Sequence, residues 1–489
     1  MDKNPKALIW VESGNALGHI RIASLLSKAL ISKGVGVTIA SGAFTNDHSK
    51  SVDMGGAKCA PLPGEVFDKM GQSLTPNGKL PTTDKAWQQE RKNALLEIYK
   101  ETRPDIIITE QFPFSRGGHI DELQAIISQK EQSLEKKPVL FSIARDDMFA
   151  ATKTALEVKP MRGGLDTLRR QVFSVVKKLI GNQNATKLKN TMLEKGIGGS
   201  SFNKVDFLKD HYDGVIVRGS EEVNANNQAS FTNEIKHLLK FVGYFGSPDF
   251  PERNKELKTP REVLVSSGGG WRQEDYNLHA TAIKAREHTT LKDNNWRHLV
   301  SQNCPPEQLK SLQDLAKKHG GNSITVEPNR PDFQKLLANA AFSISQRGYN
   351  TVVEVMQSRV PAVIGIGNTP DFCEDDRARS LSDKGLFEVI DQTELSTPER
   401  LAKKINQSYA HKVPSHNIAM NGAENAANVI INALAKQRAT NHDKSNDAKS
   451  FEPSKQASAT VKSIIDSGKT PLKERQSNER ETDSNSPQR

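Results

Sequence analysis

Apolar runs alternate with amphipathic segments along the whole of this chain, and that alternation restricts its fold more than any single residue does. In the first half, Ala7–Ser13, Gly36–Ser41, Asp105–Glu110, Val139–Ala144 and Gly214–Arg218 read as buried strands. In the second half, Glu262–Ser267, Arg297–Ser301, Ser323–Glu327, Ala341–Ser345 and Pro361–Ile366 read the same way. Segments with apolar residues at helical spacing separate them, among them Ile20–Lys33, Trp87–Thr102, Pro306–Lys318 and Pro331–Asn339. A crossover helix returns the chain to the same end of a sheet, so repeated strand–helix–strand units build parallel sheets. Two such halves predict an α/β fold of two Rossmann-like, doubly wound domains facing a cleft. The stretch Gly246–Pro260, rich in proline and charge and without periodicity, marks the boundary. The expected domains are 1–245 and 246–435, the second closed by a helix over Ala423–Ala435, and 489 residues suffice for both to bury a core.

Two segments stand outside this alternation. Residues 436–489 are rich in Ser, Lys, Glu and Asn with few large apolar side chains, so they cannot offset the entropy of ordering and are expected to be a disordered tail. Residues 151–209 are a long basic insertion between two strands and carry much of the net charge of +10. Within it Leu168, Val172, Val175, Val176 and Leu179 share one face of a helix over 168–180, which suits either an anionic membrane surface or packing on its own domain. Nucleic acid is not the expected partner. No apolar run approaches the ~20 residues of a membrane span, and the N-terminus lacks the apolar core of a signal peptide. Cys59, Cys304 and Cys373 are scattered without metal-ligand spacing, so a cytoplasmic location is expected, with membrane contact limited to the inner face.

In doubly wound domains ligands bind beyond the carboxyl ends of the strands, which makes the turns that follow strands the places to look. One is Ser343 to Glu354, where an apolar run breaks at Gly348 and restarts as a helix. Free amides and the positive dipole end of such a helix can dock a phosphate. Asn350 and Thr351 are expected to cap it, and Glu354, about one turn on, to reach a ribose; an ordinary turn with a solvated glutamate is the alternative. Another is Gly14 to His19 after the first strand, where His19 at a helix N-terminus is a candidate general base or a simple helix cap. The third is Ser266-Ser267-Gly268-Gly269-Gly270, either a nest of amides for a diphosphate or a flexible turn. The chain lacks both the P-loop ending and the spacing of a dinucleotide site, which argues against an NTPase or a dehydrogenase. No His/Cys/Asp cluster resembles a catalytic metal site.

The Gly18-His19 turn, the Ser266–Gly270 turn and Ser345 to Glu354 resemble the GT-B glycosyltransferases of family 28, which include the GlcNAc transferase of peptidoglycan synthesis. The signature Gly348-Tyr-Asn-Thr-Val-Val-Glu354 is similar to that of a bacterial group of predicted glycosyltransferases, with smaller echoes at Pro104–Phe114, Ser142–Asp146 and Tyr212–Gly219. The resemblance implies metal-independent transfer of a sugar from a nucleotide diphosphate, UDP-GlcNAc by analogy, to an acceptor hydroxyl on a lipid or glycan, with inversion at the anomeric carbon. It implies His19 as base or acceptor-side residue, Glu110 as a second catalytic candidate, and Ser266 to Gly270, Gln346, Arg347, Gly348, Tyr349, Asn350, Thr351 and Glu354 on the donor. Asn15, Gly18, Arg145 and Asp146 fall on the acceptor side; Glu110, Arg145 and Asp146 could instead tie loops together through ion pairs, and Arg347 could be a surface arginine. Where relatives place an acid or amide pair before Arg-Ala, this chain has Phe372-Cys-Glu-Asp-Asp-Arg-Ala378, and Glu374 is expected at the donor sugar. A nucleotide-sugar epimerase of the same fold and a non-catalytic nucleotide-binding protein are the alternatives.

Overall fold

A computed structural model describes residues 4–12, 18–45, 52–67, 73–115, 119–133, 137–149, 204–224, 232–254, 256, 261–367, 373–411 and 413–450. The helix expected at 168–180, the residue Asn15 and the segment 451–489 lie outside the described residues. The first lobe contains β1 (Lys6–Trp10), β2 (Gly36–Ser41), β3 (Lys58–Pro61), a short antiparallel hairpin of β4 (Val66–Phe67) and β5 (Ser73–Leu74), then β6 (Ile106–Glu110), β7 (Val139–Arg145), β8 (Gly214–Arg218) and β9 (Leu239–Gly243). Apart from the hairpin these form one sheet in the order β3-β2-β1-β6-β7-β8-β9, every pair parallel. The central strands are apolar on both faces, as a sheet covered by helices on both sides requires. Ala7, Ile9, Ile106 and Ile108 face one core, while Leu8, Trp10 and Ile107 face the other.

The second lobe repeats the plan with β10 (Val263–Ser266), β11 (Trp296–Val300), β12 (Ile324–Pro328), β13 (Phe342–Gln346), β14 (Ala362–Ile366) and β15 (Glu388–Asp391), in the parallel order β12-β11-β10-β13-β14-β15. Counted along the chain without the hairpin, both sheets run third, second, first, fourth, fifth, sixth, and the first sheet adds a seventh strand, β9, at its edge. The winding therefore reverses between β1 and β6 in one lobe and between β10 and β13 in the other, and at each reversal the flanking loops diverge and open a crevice. The expected strands are all present to within a few residues. Five were not expected: the two short hairpin strands β4 and β5, and β3, β9 and β15, each the edge of a large sheet, where one side of the backbone is unpaired and a short segment (Lys58-Cys-Ala-Pro, Leu239-Lys-Phe-Val-Gly, Glu388-Val-Ile-Asp) suffices.

The two lobes share a core. The helix Gly422–Ser450 follows the second lobe and starts against the first. Its entry is held by backbone bonds from Tyr244 N–H to the Ala419 carbonyl at 2.8 Å and from Gly422 N–H to the Tyr244 carbonyl at 2.9 Å, and by Asn425 Nδ2 donating to the Val242 carbonyl at 2.9 Å. Ala426, Ala427, Ile430 and Leu434 on this helix join Ile9 and Ile108 of the first lobe and Val352 and Ile364 of the second in one apolar cluster. The helix, expected to end at Ala435, continues to Ser450.

Candidate active site

At the first-lobe reversal, β1 leads to the helix Gly18–Ile31, which places His19 in its first turn. β6 ends on Glu110. The two meet, with His19 Nδ1 2.9 Å from Glu110 Oε1. The carboxylate side chain is 1% exposed and the imidazole 29%, so a buried acid holds a ring that reaches the cleft. Arg218, at the end of β8, brings Nη2 to 3.7 Å from the same carboxylate oxygen. A carboxylate bonded to Nδ1 selects the tautomer with the proton on Nδ1, which makes Nε2 the nitrogen able to accept a proton.

At the second-lobe reversal, the loop after β10 turns through Gly268 at φ +83°, a backbone conformation that glycine adopts without strain. Asn329 Nδ2 donates to the Gly268 carbonyl at 2.8 Å, while Ser301 Oγ at 2.9 Å and Asn303 Nδ2 at 3.2 Å donate to the Gly269 carbonyl. A trans peptide points its N–H opposite to its carbonyl, so the amides of Gly269 and Gly270 face away from these anchors. Both glycines are exposed. Behind the loop, Ser267 Oγ lies 3.2 Å from His279 Nε2, and His279 Nδ1 lies 3.2 Å from His298 Nδ1. Burial holds His279 neutral, its pKa lowered to about 3, and His298 well below its usual range.

β13 then feeds the helix Tyr349–Ser358. Its N-cap is Gly348, with no side-chain cap, which corrects the capping expected of Asn350 and Thr351: both sit inside the first turn, where their own amides are among the donors a helix start leaves unpaired. Gln346 is tied within the lobe, its Nε2 donating to the Glu274 carbonyl at 3.4 Å and its Oε1 accepting from Gln392 Nε2 at 3.4 Å. Arg347 is not a surface arginine. It is 7% exposed, and its Nε is 2.6 Å from Asp375 Oδ1, which also accepts from the Gly367 amide at 3.2 Å.

The two reversals face one another. A Cβ on Gly18 would stand 3.2 Å from Asn350 Nδ2, so glycine permits this approach of the lobes. Arg21 Nη1 reaches across to Glu354 Oε1 at 2.7 Å, and Gln334 Nε2 donates to the same oxygen at 3.0 Å. Glu354 thus points into the cleft region and not into bulk solvent. Tyr349 lies between two guanidinium groups, Arg218 at 4.5 Å and Arg377 at 4.9 Å from its ring. Arg145 Nη1 pairs with Glu374 Oε1 at 2.6 Å, which commits both to an interlobe bridge and revises their expected places on acceptor and donor sugar. Asp146 is also corrected: it is fully buried, accepts from Tyr244 Oη at 2.8 Å and lies 3.6 Å from Arg377 Nη1, so it joins the lobes and does not line an acceptor surface. Arg21, Gln334 and Asn329 were not legible as site residues, because only the packed lobes bring them to Glu354 and Gly268.

Residues 263–434 match the model of the glycosyltransferase family 28 C-terminal domain. The second lobe is a family 28 glycosyltransferase domain. The chain thus carries this domain on a GT-B fold, and together these support a glycosyltransferase. The glycosyltransferase of kitacinnamycin has a similar fold, with a TM-score of 0.53, 14% identity, and coverage of 89% of this chain and 96% of that one. The calicheamicin glycosyltransferase CalG4 is similar at a TM-score of 0.50 and 14% identity over 90% of this chain and 98% of its own. A Listeria monocytogenes protein assigned as a UDP-N-acetylglucosamine 2-epimerase is similar at 0.51 and 13%, over 89% and 97%. No curated protein matches the sequence. Among the described residues no group of three His, Cys, Asp or Glu could hold a metal ion, and no helix is long and apolar enough to cross a membrane.

Proposed function

We propose that this glycosyltransferase uses a nucleoside diphosphate sugar, UDP-linked by analogy with the family, and transfers the sugar with inversion and without a metal ion. The observation that carries the reading is the pairing of His19 with the buried Glu110 directly across from the uncapped helix start at Gly348. His19 Nε2 removes the proton of an acceptor hydroxyl; the oxygen attacks the anomeric carbon; the bond from that carbon to the diphosphate oxygen breaks. The leaving diphosphate gains one negative charge as that bond breaks, and the amides of Gly269, Gly270 and the first turn after Gly348, oriented before the reaction begins, stabilise it. Arg21 and Gln334 both engage Oε1 of Glu354, which leaves Oε2 to accept from ribose hydroxyls.

A thermal-shift panel of nucleotides tests the donor assignment, since a ligand at 100 times its Kd adds about 2.7 kcal/mol. Release of nucleoside diphosphate only when an acceptor is present supports transfer. Isomerisation of the sugar without acceptor would favour the epimerase, and binding without turnover would favour a non-catalytic role. Absence of any nucleotide-dependent stabilisation would overturn the donor site.

A further inference from the structure

The first lobe holds a second hollow, about 400 Å³, whose walls include Glu65, Ser73, Pro81, Thr82, Gln111 and Ser115. One of its wall residues, Gln111, directly follows Glu110 at the end of β6, their Cα atoms about 3.8 Å apart. We propose that this hollow is the acceptor subsite and that it takes a single neutral pyranose ring through adjacent hydroxyl groups. The proposal rests on the transferase reading and specifies the acceptor for it.

Gln111 carries the argument. It stands at φ +60°, where a residue with a side chain is strained, and its amide N–H donates to the Ile143 carbonyl at 2.8 Å. Ser115 Oγ donates to Gln111 Oε1 at 3.0 Å, and the Nε2 group, on a side chain only 6% exposed, has no protein partner. Exchanging the two ends of the amide would leave the oxygen unmatched instead, so either orientation leaves one buried polar group of this wall residue without a partner. A buried amide without a partner costs free energy that a ligand hydroxyl recovers.

Opposite in character is Glu65. Its Oε2 accepts from Ser73 Oγ and its Oε1 lies 3.1 Å from His119 Nε2. Burial alone would raise this carboxyl, but the hydrogen bond and charge of His119 outweigh it and keep it ionised. One wall thus offers an unmatched amide group and another a carboxylate acceptor, and sugar hydroxyls, which both give and take a hydrogen bond, can meet either. Leu80 and Pro81 supply an apolar surface for the C–H face of a ring. Among the described residues that line the hollow there is no lysine or arginine, and the charge of Glu65 is already balanced by His119, so these residues offer an anionic ligand no counter-charge. The volume falls at the small end of the ~300–1,000 Å³ typical of ligand sites, enough for one ring.

Saturation-transfer NMR with the full chain and a panel of methyl pyranosides (glucoside, galactoside, mannoside and N-acetylglucosaminide) tests this, with butyl pyranosides as a second arm to separate ring recognition from recognition of a lipid-like tail. At least one methyl glycoside should show saturation transfer, reduced roughly tenfold in affinity by Gln111→Leu and abolished by Thr82→Trp, which fills the hollow from its rim without disturbing the strained turn. UDP-induced thermal stabilisation should be unchanged in both variants. Equal binding to wild type and both variants, binding only of the butyl compounds, or no binding of any pyranoside would overturn the proposal, even if UDP binds. Loss of UDP stabilisation in wild type, with pyranoside binding intact, would instead remove the donor reading and leave the subsite standing.

Discussion

His19 is useful because a buried carboxylate decides which of its nitrogens carries a proton. Removing the base while leaving the donor lobe intact should separate binding from chemistry: His19→Ala is expected to lower kcat by roughly 10²–10⁴-fold with nucleotide affinity unchanged by calorimetric titration. Glu354→Ala should do the reverse, weakening nucleotide binding by roughly tenfold with the His19–Glu110 contact untouched. A second histidine tests electrostatics. Burial opposes charge on His119, but its contacts with Glu122 and Glu65 prevail and raise its pKa to about 9, above the usual 6.5. Burial likewise opposes charge on Glu122, yet Arg91 and His119 pull it to about 2, below the usual 4.5. The raised histidine contributes stability that is complete below pH 6.5 and lost as pH climbs through 9; the lowered acid contributes stability present above pH 4.5 and lost as pH falls toward 2. Melting temperature should therefore be highest between about pH 4.5 and 6.5 and decline toward pH 9. His119→Gln should flatten the alkaline limb, and an unchanged slope in that variant would assign it elsewhere.

At the scale of elements, the first lobe is pinned by an ion cluster under the hairpin of β4 and β5. Arg91, fully buried on the helix Lys85–Thr102, donates from Nη2 to Glu12 at 2.7 Å and from Nε to Glu122 at 2.8 Å, and stacks 5.0 Å from the Trp87 ring. Deleting the cation strands two carboxylates in the core, so Arg91→Met should cost about 3–5 kcal/mol by denaturant titration. The turn from β9 into the second lobe is equally constrained. Gly243 sits at φ +89°, and a Cβ there would come within 2.5 Å of the Ala419 carbonyl, so Gly243→Ala should destabilise by more than the roughly 1 kcal/mol of conformational strain alone. The strands hidden from sequence analysis were the two-residue hairpin strands and three of the four edges of the large sheets, where packing on one side only does not demand an apolar run. The charged cluster was hidden for a different reason: Glu12, Arg91 and Glu122 are far apart in the chain, and nothing local distinguishes them from surface residues.

For the whole molecule, the C-terminal helix makes two lobes one folding unit. Ile430, fully buried, lies in the cluster that contains residues of both sheets. A carboxylate placed there should destabilise by at least ~3 kcal/mol and lower the unfolding of both lobes together; calorimetry of Ile430→Asp that shows one lobe melting at its wild-type temperature would contradict a shared core. Arg21–Glu354 and Arg145–Glu374 add two charged contacts between the lobes.

The alternation of strands and helices, the turns at Gly18, Gly268 and Gly348, and the candidates His19 and Glu354 were all present in the order of residues, because hydrophobic periodicity and glycine's conformational freedom act over a few residues at a time. What joins those turns is not local. The reversal of strand order that brings Glu110 to His19 and turns Gln346 and Arg347 inward, the conversion of Arg145, Asp146 and Glu374 from presumed ligand contacts into ties between lobes, and the arrival of Arg21 at Glu354 depend on which faces pack. Packing is chosen by the summed burial of two sheets and a returning helix, a quantity that no short stretch of sequence contains.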